Sequence, residues 1–222
     1  TGASLKVTHI ITGLEAGGAE TMLLKLLSSL ERPGESAEVI SLAPEGPLAG
    51  PIRALGVRVT SLGLGGGLGA LLALPRLIRA LRRSPPDLVQ CWMYHANLLG
   101  GLAARVGLVA PVLWGLRQSD LDPTLSKRST ITVAKLCARL SFRLPRKILC
   151  VSESARRVHA ALGYDDGRMV VIPNGFDLAH FHPDAAARRE IRATLGIGED
   201  EILIVLAARF DPQKDIGNFL AA

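Results

Sequence analysis

Aromatic residues are scarce, at 4% of the 222-residue chain, and only two are Trp and two Tyr. A core must therefore come from Leu, Ile, Val and Ala, in keeping with a hydrophobic content of 48%. Stacking platforms for nucleic acid need interleaved aromatics. Neither that pattern nor a recognition-helix motif occurs, so no nucleic-acid partner is expected. Cysteine is rarer still: Cys91, Cys137 and Cys150 are widely spaced, with no CxxC pair. They read as buried, reduced thiols of a cytosolic protein. No His or acid cluster accompanies them, so no metal is expected. Long apolar runs are missing too. The longest, Leu62 to Leu74, is broken by glycines and runs into Pro75 and Arg76, whereas a membrane span needs roughly 20 apolar residues. No signal peptide is expected, because Thr1-Gly-Ala-Ser leads directly into a strand.

Positive charge is in surplus, with a net +6, and it is unevenly spread. Between Arg117 and Arg157 lie ten Lys or Arg against three acids, Asp120, Asp122 and Glu153. Arg76, Arg79, Arg82 and Arg83 form a second cluster. These residues read either as solvated helix faces or as attraction to an anionic surface, a phospholipid or a polyphosphate substrate.

Strand-like and helix-like segments alternate. Expected strands are Val7–Ile11, Val39–Leu42, Val57–Leu62, Leu88–Trp92, Val112–Trp114, Ile148–Val151, Val170–Ile172 and Ile202–Ala207. Expected helices include Ala19–Glu31, whose Met22, Leu23, Leu26, Leu27 and Leu30 share one face. Others are a short one near Pro47–Leu55, one through Arg83, Ala96–Val106, a long basic one at Arg128–Arg143, and one capped by Ser152. Pro75 suits the first turn of the helix through Arg83, which could also begin earlier, near Gly69. Alternation of this kind predicts an α/β fold, a Rossmann-like, mainly parallel sheet with helices on both faces. Residues 1–173 form the first domain and 174–200 a connector. Residues 201–222 are the incomplete start of a second domain. Pro173-Asn174-Gly175 reads as a turn.

Several stretches sit where α/β sheets bind ligands, beyond strand C-terminal ends. After the first strand comes Thr12-Gly13-Leu-Glu-Ala-Gly17-Gly18-Ala19-Glu20. Its glycines let backbone N–H groups approach an anion, or simply form a tight turn. It is neither a dinucleotide fingerprint nor a Walker loop. Glu20 complements the helix dipole without any ligand. After the fourth strand, Trp92-Met-Tyr-His95-Ala-Asn97 offers an imidazole that can exchange a proton or bond a sugar hydroxyl, or that is structural. Arg117-Gln-Ser-Asp120 brings hydrogen-bonding groups to the same rim. After the last expected strand, Arg209 and Lys214 lie five residues apart before a helix start, a pairing suited to a diphosphate or merely two surface cations.

Three features in order resemble glycosyltransferase family 4, whose members have the two-domain GT-B architecture. They are Ile-Thr-Gly-Leu-Glu-Ala-Gly17-Gly18-Ala19-Glu20, Val-Val-Ile-Pro173-Asn174-Gly175-Phe-Asp177, and Ala208-Arg209-Phe-Asp-Pro-Gln-Lys214-Asp. Trp92-Met-Tyr-His95-Ala-Asn-Leu-Leu-Gly also looks like the family's fourth-strand loop. The resemblance implies retaining, metal-independent transfer from a nucleotide-diphosphate sugar to a glycan or lipid-linked acceptor. Under it, Arg209 and Lys214 clamp the donor diphosphate in catalysis. His95 faces the transferred sugar, and Gly17 and Gly18 contact the acceptor or the donor phosphates; Asn97 and Arg117, from their place at the same rim, are also expected to bind substrate. The sugar donor is a substrate, and no cofactor is implied. The resemblance further implies a cytoplasmic enzyme, peripheral at the inner face of the membrane, that builds a cell-surface glycan or glycolipid. The family's nucleotide-binding residues lie beyond position 222, so the chain by itself is expected to transfer no sugar. The competing reading is a non-catalytic module that binds a sugar-phosphate or a protein partner. A nucleotide-sugar epimerase would be expected to carry a carboxylate-pair and histidine constellation that is not found.

Overall fold

A computed structural model describes residues 5–29, 36–64, 68–118, 121, 126–208, 210 and 214–222, with 68–73 as backbone only. Two compact units emerge, Thr1–Asn174 and Gly175–Ala222. The first alternates β1 (Lys6–Ile11), α1 (Gly18–Ser28), β2 (Ser36–Ser41), α2 (Ala49–Ala54), β3 (Arg58–Ser61) and α3 (Leu68–Arg83). It continues through β4 (Leu88–Trp92), α4 (Tyr94–Gly107), β5 (Val112–Leu116), α5 (Arg128–Leu140), β6 (Lys147–Cys150), α6 (Glu153–Ala161) and β7 (Met169–Val171). All seven strands run parallel in the order β3-β2-β1-β4-β5-β6-β7.

Period-2 alternation within the strands divides the core between the two faces of the sheet. Ile10, Ile40 and Cys91 turn toward a cluster that includes residues of α3, α4 and α5. Their chain neighbours Ile11, Val39 and Trp92 join a cluster that includes residues of α1 and α2. The α/β sheet with helices on both faces is therefore present as expected. Strands covered on both sides read as nearly continuous apolar runs, as β4, β5, β6 and β7 do, whereas β1, β2 and β3 carry polar residues among their apolar ones. The three thiols are buried and unpaired, and burial raises their pKa values.

Local details differ from expectation in places. The helix through Arg83 begins at Leu68, which agrees with the expected earlier start near Gly69 and not with Pro75 in the first turn. Ser152 does cap α6, its hydroxyl accepting from Ala155 N at 3.0 Å. No turn is seen at Pro173-Asn174-Gly175; it falls at residues 178–180, where the Asp177 carboxylate accepts from Ala179 N and His180 N.

In the second unit, α7 (Ala185–Leu195) starts at Asp184, whose carboxylate accepts from Ala186 N and Ala187 N. It ends at Gly196 in the left-handed conformation, φ 69°. A shorter α8 spans Ile216–Ala221. The expected strand over 202–207 is absent, and Ile202, Ile204 and Val205 are 90%, 74% and 71% exposed. An apolar run becomes a strand only where a neighbour satisfies its ladder, and among the described residues none lies beside it.

Candidate functional site at the C-terminal edge of the sheet

The strand order reverses direction between β1 and β4, because β1 leads outward to β2 and β3 while β4 returns to its other side. Such a switch point opens a crevice beyond the strand C-termini. The loops after β1, β4 and β5 converge there. Topology thus gathers Gly17, Gly18, His95, Asn97 and Arg117 at one edge.

The β1–α1 loop is held from the side by the segment after β2. Ala43 N donates to Thr12 O at 2.9 Å and Leu48 N to Leu14 O at 3.1 Å. This approach requires Gly46, since a Cβ there would lie 2.5 Å from Leu14 O. The sequence alone did not single out Gly46. Gly17 occupies the N-cap of α1, and Gly18 opens the helix. The Glu20 carboxylate folds back over Gly17 and would collide with any Cβ placed there. A carboxylate at a helix start is favourable, and it also sets a negative charge where a phosphate would otherwise sit. The loop as built suits a hydroxyl better than a second anion.

The turn from β4 into α4 is strained. Met93 has φ 71° and ψ 166°, a region open essentially to glycine and costing about 1–3 kcal/mol for other residues. Two bonds hold it, Met93 N to Gly115 O at 3.1 Å and Asn97 N to Met93 O at 2.8 Å. The turn projects His95 from the first turn of α4 in a half-buried position. Burial lowers its pKa from the usual histidine value, which favours the neutral imidazole, able both to donate and to accept. Asn97 is fully buried. Its side-chain amide donates to Gly115 O at 3.2 Å and accepts from Gly115 N at 3.3 Å. It is a strut between α4 and β5, with no surface open to a ligand.

Arg117 is tied down on two sides. Its Nη1 donates to Asn174 Oδ1 at 2.6 Å, and its guanidinium carbon lies 4.4 Å from the Trp92 ring centroid. Burial lowers its pKa, yet arginine stays charged. Trp92 in turn donates from Nε1 to His9 Nδ1 at 3.2 Å. A chain His9–Trp92–Arg117–Asn174 therefore runs from inside β1 to the end of the first unit. His9 and the role of Asn174 escaped the sequence reading, because a histidine within an apolar strand carries no spacing signal. Behind His95, Tyr94 OH donates to His159 Nε2 at 2.7 Å, while His159 Nδ1 donates to Ala155 O at 2.7 Å. This buried pair fastens the start of α4 to α6.

In the second unit Lys214 is exposed, whereas Arg209 lies outside the described residues. Among the described residues no cluster of His, Cys, Asp or Glu could hold a metal ion, and no helix is long and apolar enough to cross a membrane.

Solved structures share this fold. Sucrose-phosphate synthase of Thermosynechococcus elongatus superposes with a TM-score of 0.71 at 18% identity, covering 98% of this chain and 59% of its own. Anabaena HepE, solved in complex with UDP, gives 0.69 at 20% identity, covering 86% and 50%. Among curated proteins, EpsF of Bacillus subtilis is 25% identical over 95% of this chain and 55% of its own length. The D-inositol 3-phosphate glycosyltransferase of Rhodococcus erythropolis is 25% identical over 90% and 49%. This chain spans about half the length of the curated relatives it matches. The architecture is that of one Rossmann-like half of a GT-B glycosyltransferase. Residues 16–180 match the model of Glycosyltransferase Family 4, and the chain belongs to that family.

Proposed function

We propose that this chain is the acceptor-side half of a retaining glycosyltransferase that uses a nucleotide-diphosphate sugar without a metal ion. The observation that carries the reading is the convergence of His95, Arg117 and the Gly17-Gly18 loop at the β1/β4 switch point in a family 4 chain. The neutral imidazole of His95 accepts and donates hydrogen bonds to the hydroxyls of the transferred sugar. Arg117, pinned by Asn174 and Trp92, orients a polar group of the acceptor or donor across the crevice. The glycine loop receives the acceptor, consistent with the Glu20 carboxylate that discourages a second anion. Arg209 and Lys214 stabilise the departing diphosphate, supplying the charge that a divalent ion supplies elsewhere. Sugar and acceptor then react on one face of the donor, with positioning contributing much of the rate.

The acceptor is a glycan or a lipid-linked glycan in cell-surface biosynthesis, met at the cytoplasmic face of the membrane. The exposed Arg76, Arg79, Arg82 and Arg83 of α3 and the basic face of α5 hold the protein to anionic lipid. Sedimentation with phosphatidylglycerol vesicles and with neutral vesicles tests this part, and equal binding to both refutes it.

Transfer itself is tested with a panel of nucleotide-sugars. The chain alone should give no turnover, because a cleft enzyme needs both walls. Joined to the nucleotide-binding half of a family relative, it should release nucleoside diphosphate in an acceptor-dependent way. Turnover by the isolated 222 residues overturns the reading.

A further inference from the structure

At the opposite edge of the sheet, before β5, β6 and β7 begin, a cavity of about 470 Å³ is lined by Arg105, Arg143, Arg146 and Arg168 together with Val112 and Pro145. The four guanidiniums come from separate places: the last turn of α4, the α5–β6 connection on both sides of Pro145, and the residue preceding β7. Among the described residues, Arg168 alone of the four has an acidic partner, its Nε lying 3.1 Å from Asp165 Oδ2. Arg168 is further fixed by donating from Nη1 to Pro145 O at 2.5 Å. Among the described residues, Arg105, Arg143 and Arg146 have no carboxylate partner. Like charges lining one concavity repel.

The framework around the cavity is rigid. Arg146 N donates to Val112 O at 2.7 Å. The Ser141 hydroxyl donates to Ala138 O at 2.6 Å and accepts from Asp165 N at 2.8 Å, which joins the end of α5 to the segment carrying Arg168. Three unpaired guanidiniums on a fixed floor, with no lining carboxylate, suit a ligand carrying several negative charges in a small volume. Arginine forks match phosphate oxygens bidentately.

We infer that this groove is a second binding site, distinct from the C-terminal edge, for a soluble di- or triphosphate compound. A second, more open hollow is lined by Arg76, Arg79, Arg82 and Arg83, all from the single helix α3, whereas the groove gathers its guanidiniums from several elements. The inference does not depend on the transfer reaction.

Inorganic pyrophosphate is the probe, titrated calorimetrically into the 222-residue chain at low salt, where surface electrostatics are least screened. One saturable site is expected. The pair Arg143→Gln and Arg146→Gln should weaken it by at least about ten-fold. The pair Arg79→Gln and Arg82→Gln on α3 removes the same charge and should change it by less than about two-fold. All four residues are exposed, and far-UV circular dichroism confirms that each variant is folded. Equal weakening by both pairs would mean attraction to net charge alone and overturns the site. So does the absence of saturable binding, or a groove variant that loses only anionic-vesicle binding while pyrophosphate never binds.

Discussion

The two edges of one sheet are built from the same strands and differ in how their polar groups are held. Toward the C-terminal edge several polar side chains are paired, His9 with Trp92, Arg117 with Asn174, Asn97 with Gly115 and Tyr94 with His159, although the hydroxyls of Thr12 and Ser61 are buried without a partner among the described residues. A strained residue, Met93, is fixed among them. At the N-terminal edge three of the four arginines lining the cavity have no acidic partner among the described residues. The difference teaches where the molecule has invested folding energy in local order. On the proposed function, groups that position a reacting sugar are locked before it arrives. Cations that capture an anion can wait for it.

That contrast can be broken by experiment, and the largest effect is expected at His9. Its pKa is lowered from 6.5 to about 4 by burial. A histidine depressed in the folded state takes up protons on unfolding, so its contribution is complete above about pH 6.5 and is lost as pH falls toward 4. Denaturant melts should show about 3 kcal/mol less stability over that window. His9→Gln should flatten the dependence, although buried His159, also lowered by burial, leaves a residue of the same sign. A wild-type profile no steeper than the variant's would remove His9 from the account.

Next comes Asn97→Ala, which removes both side-chain bonds to Gly115 from a fully buried position and should cost about 2 kcal/mol in urea melts. A cost near zero would mean that Asn97 is no strut. Met93→Gly relieves the backbone and should stabilise by about 1 kcal/mol. If the thermal midpoint, and the turnover of the chain joined to a nucleotide-binding half, both stay unchanged, the strain has no role in presenting His95. Smallest of all, Arg143→Gln with Arg146→Gln should shift stability by less than about 0.5 kcal/mol. A large loss there would show that the N-terminal edge is as firmly tied as its counterpart.

Much of this was legible in the sequence. Strand-length apolar runs and Ser152 mark the elements because doubly covered strands and helix caps leave local signatures. The glycines after β1 and the polar residues after β4 and β5 point to the edge that the strand order then assembles. The strand over 202–207 was misread because its residues have strand composition, while forming a ladder depends on neighbours that composition does not reveal. Asn97 reads as a binder from its place after a strand, yet its amide is consumed by a backbone 18 residues away. His9, Gly46 and Met93 were invisible for the same reason: each answers to a contact distant in the chain or to a backbone angle.

The central claim is that the C-terminal edge, and not the arginine-lined one, is the face where sugar is transferred. Sugar transfer from a nucleotide-sugar panel, by this chain joined to a family nucleotide-binding half, tests it most directly. His95→Ala should lower kcat by about a hundred-fold or more, whereas Arg143→Gln with Arg146→Gln should leave it within about two-fold. Equal losses from the two edges, or full turnover without the His95 imidazole, would contradict the account.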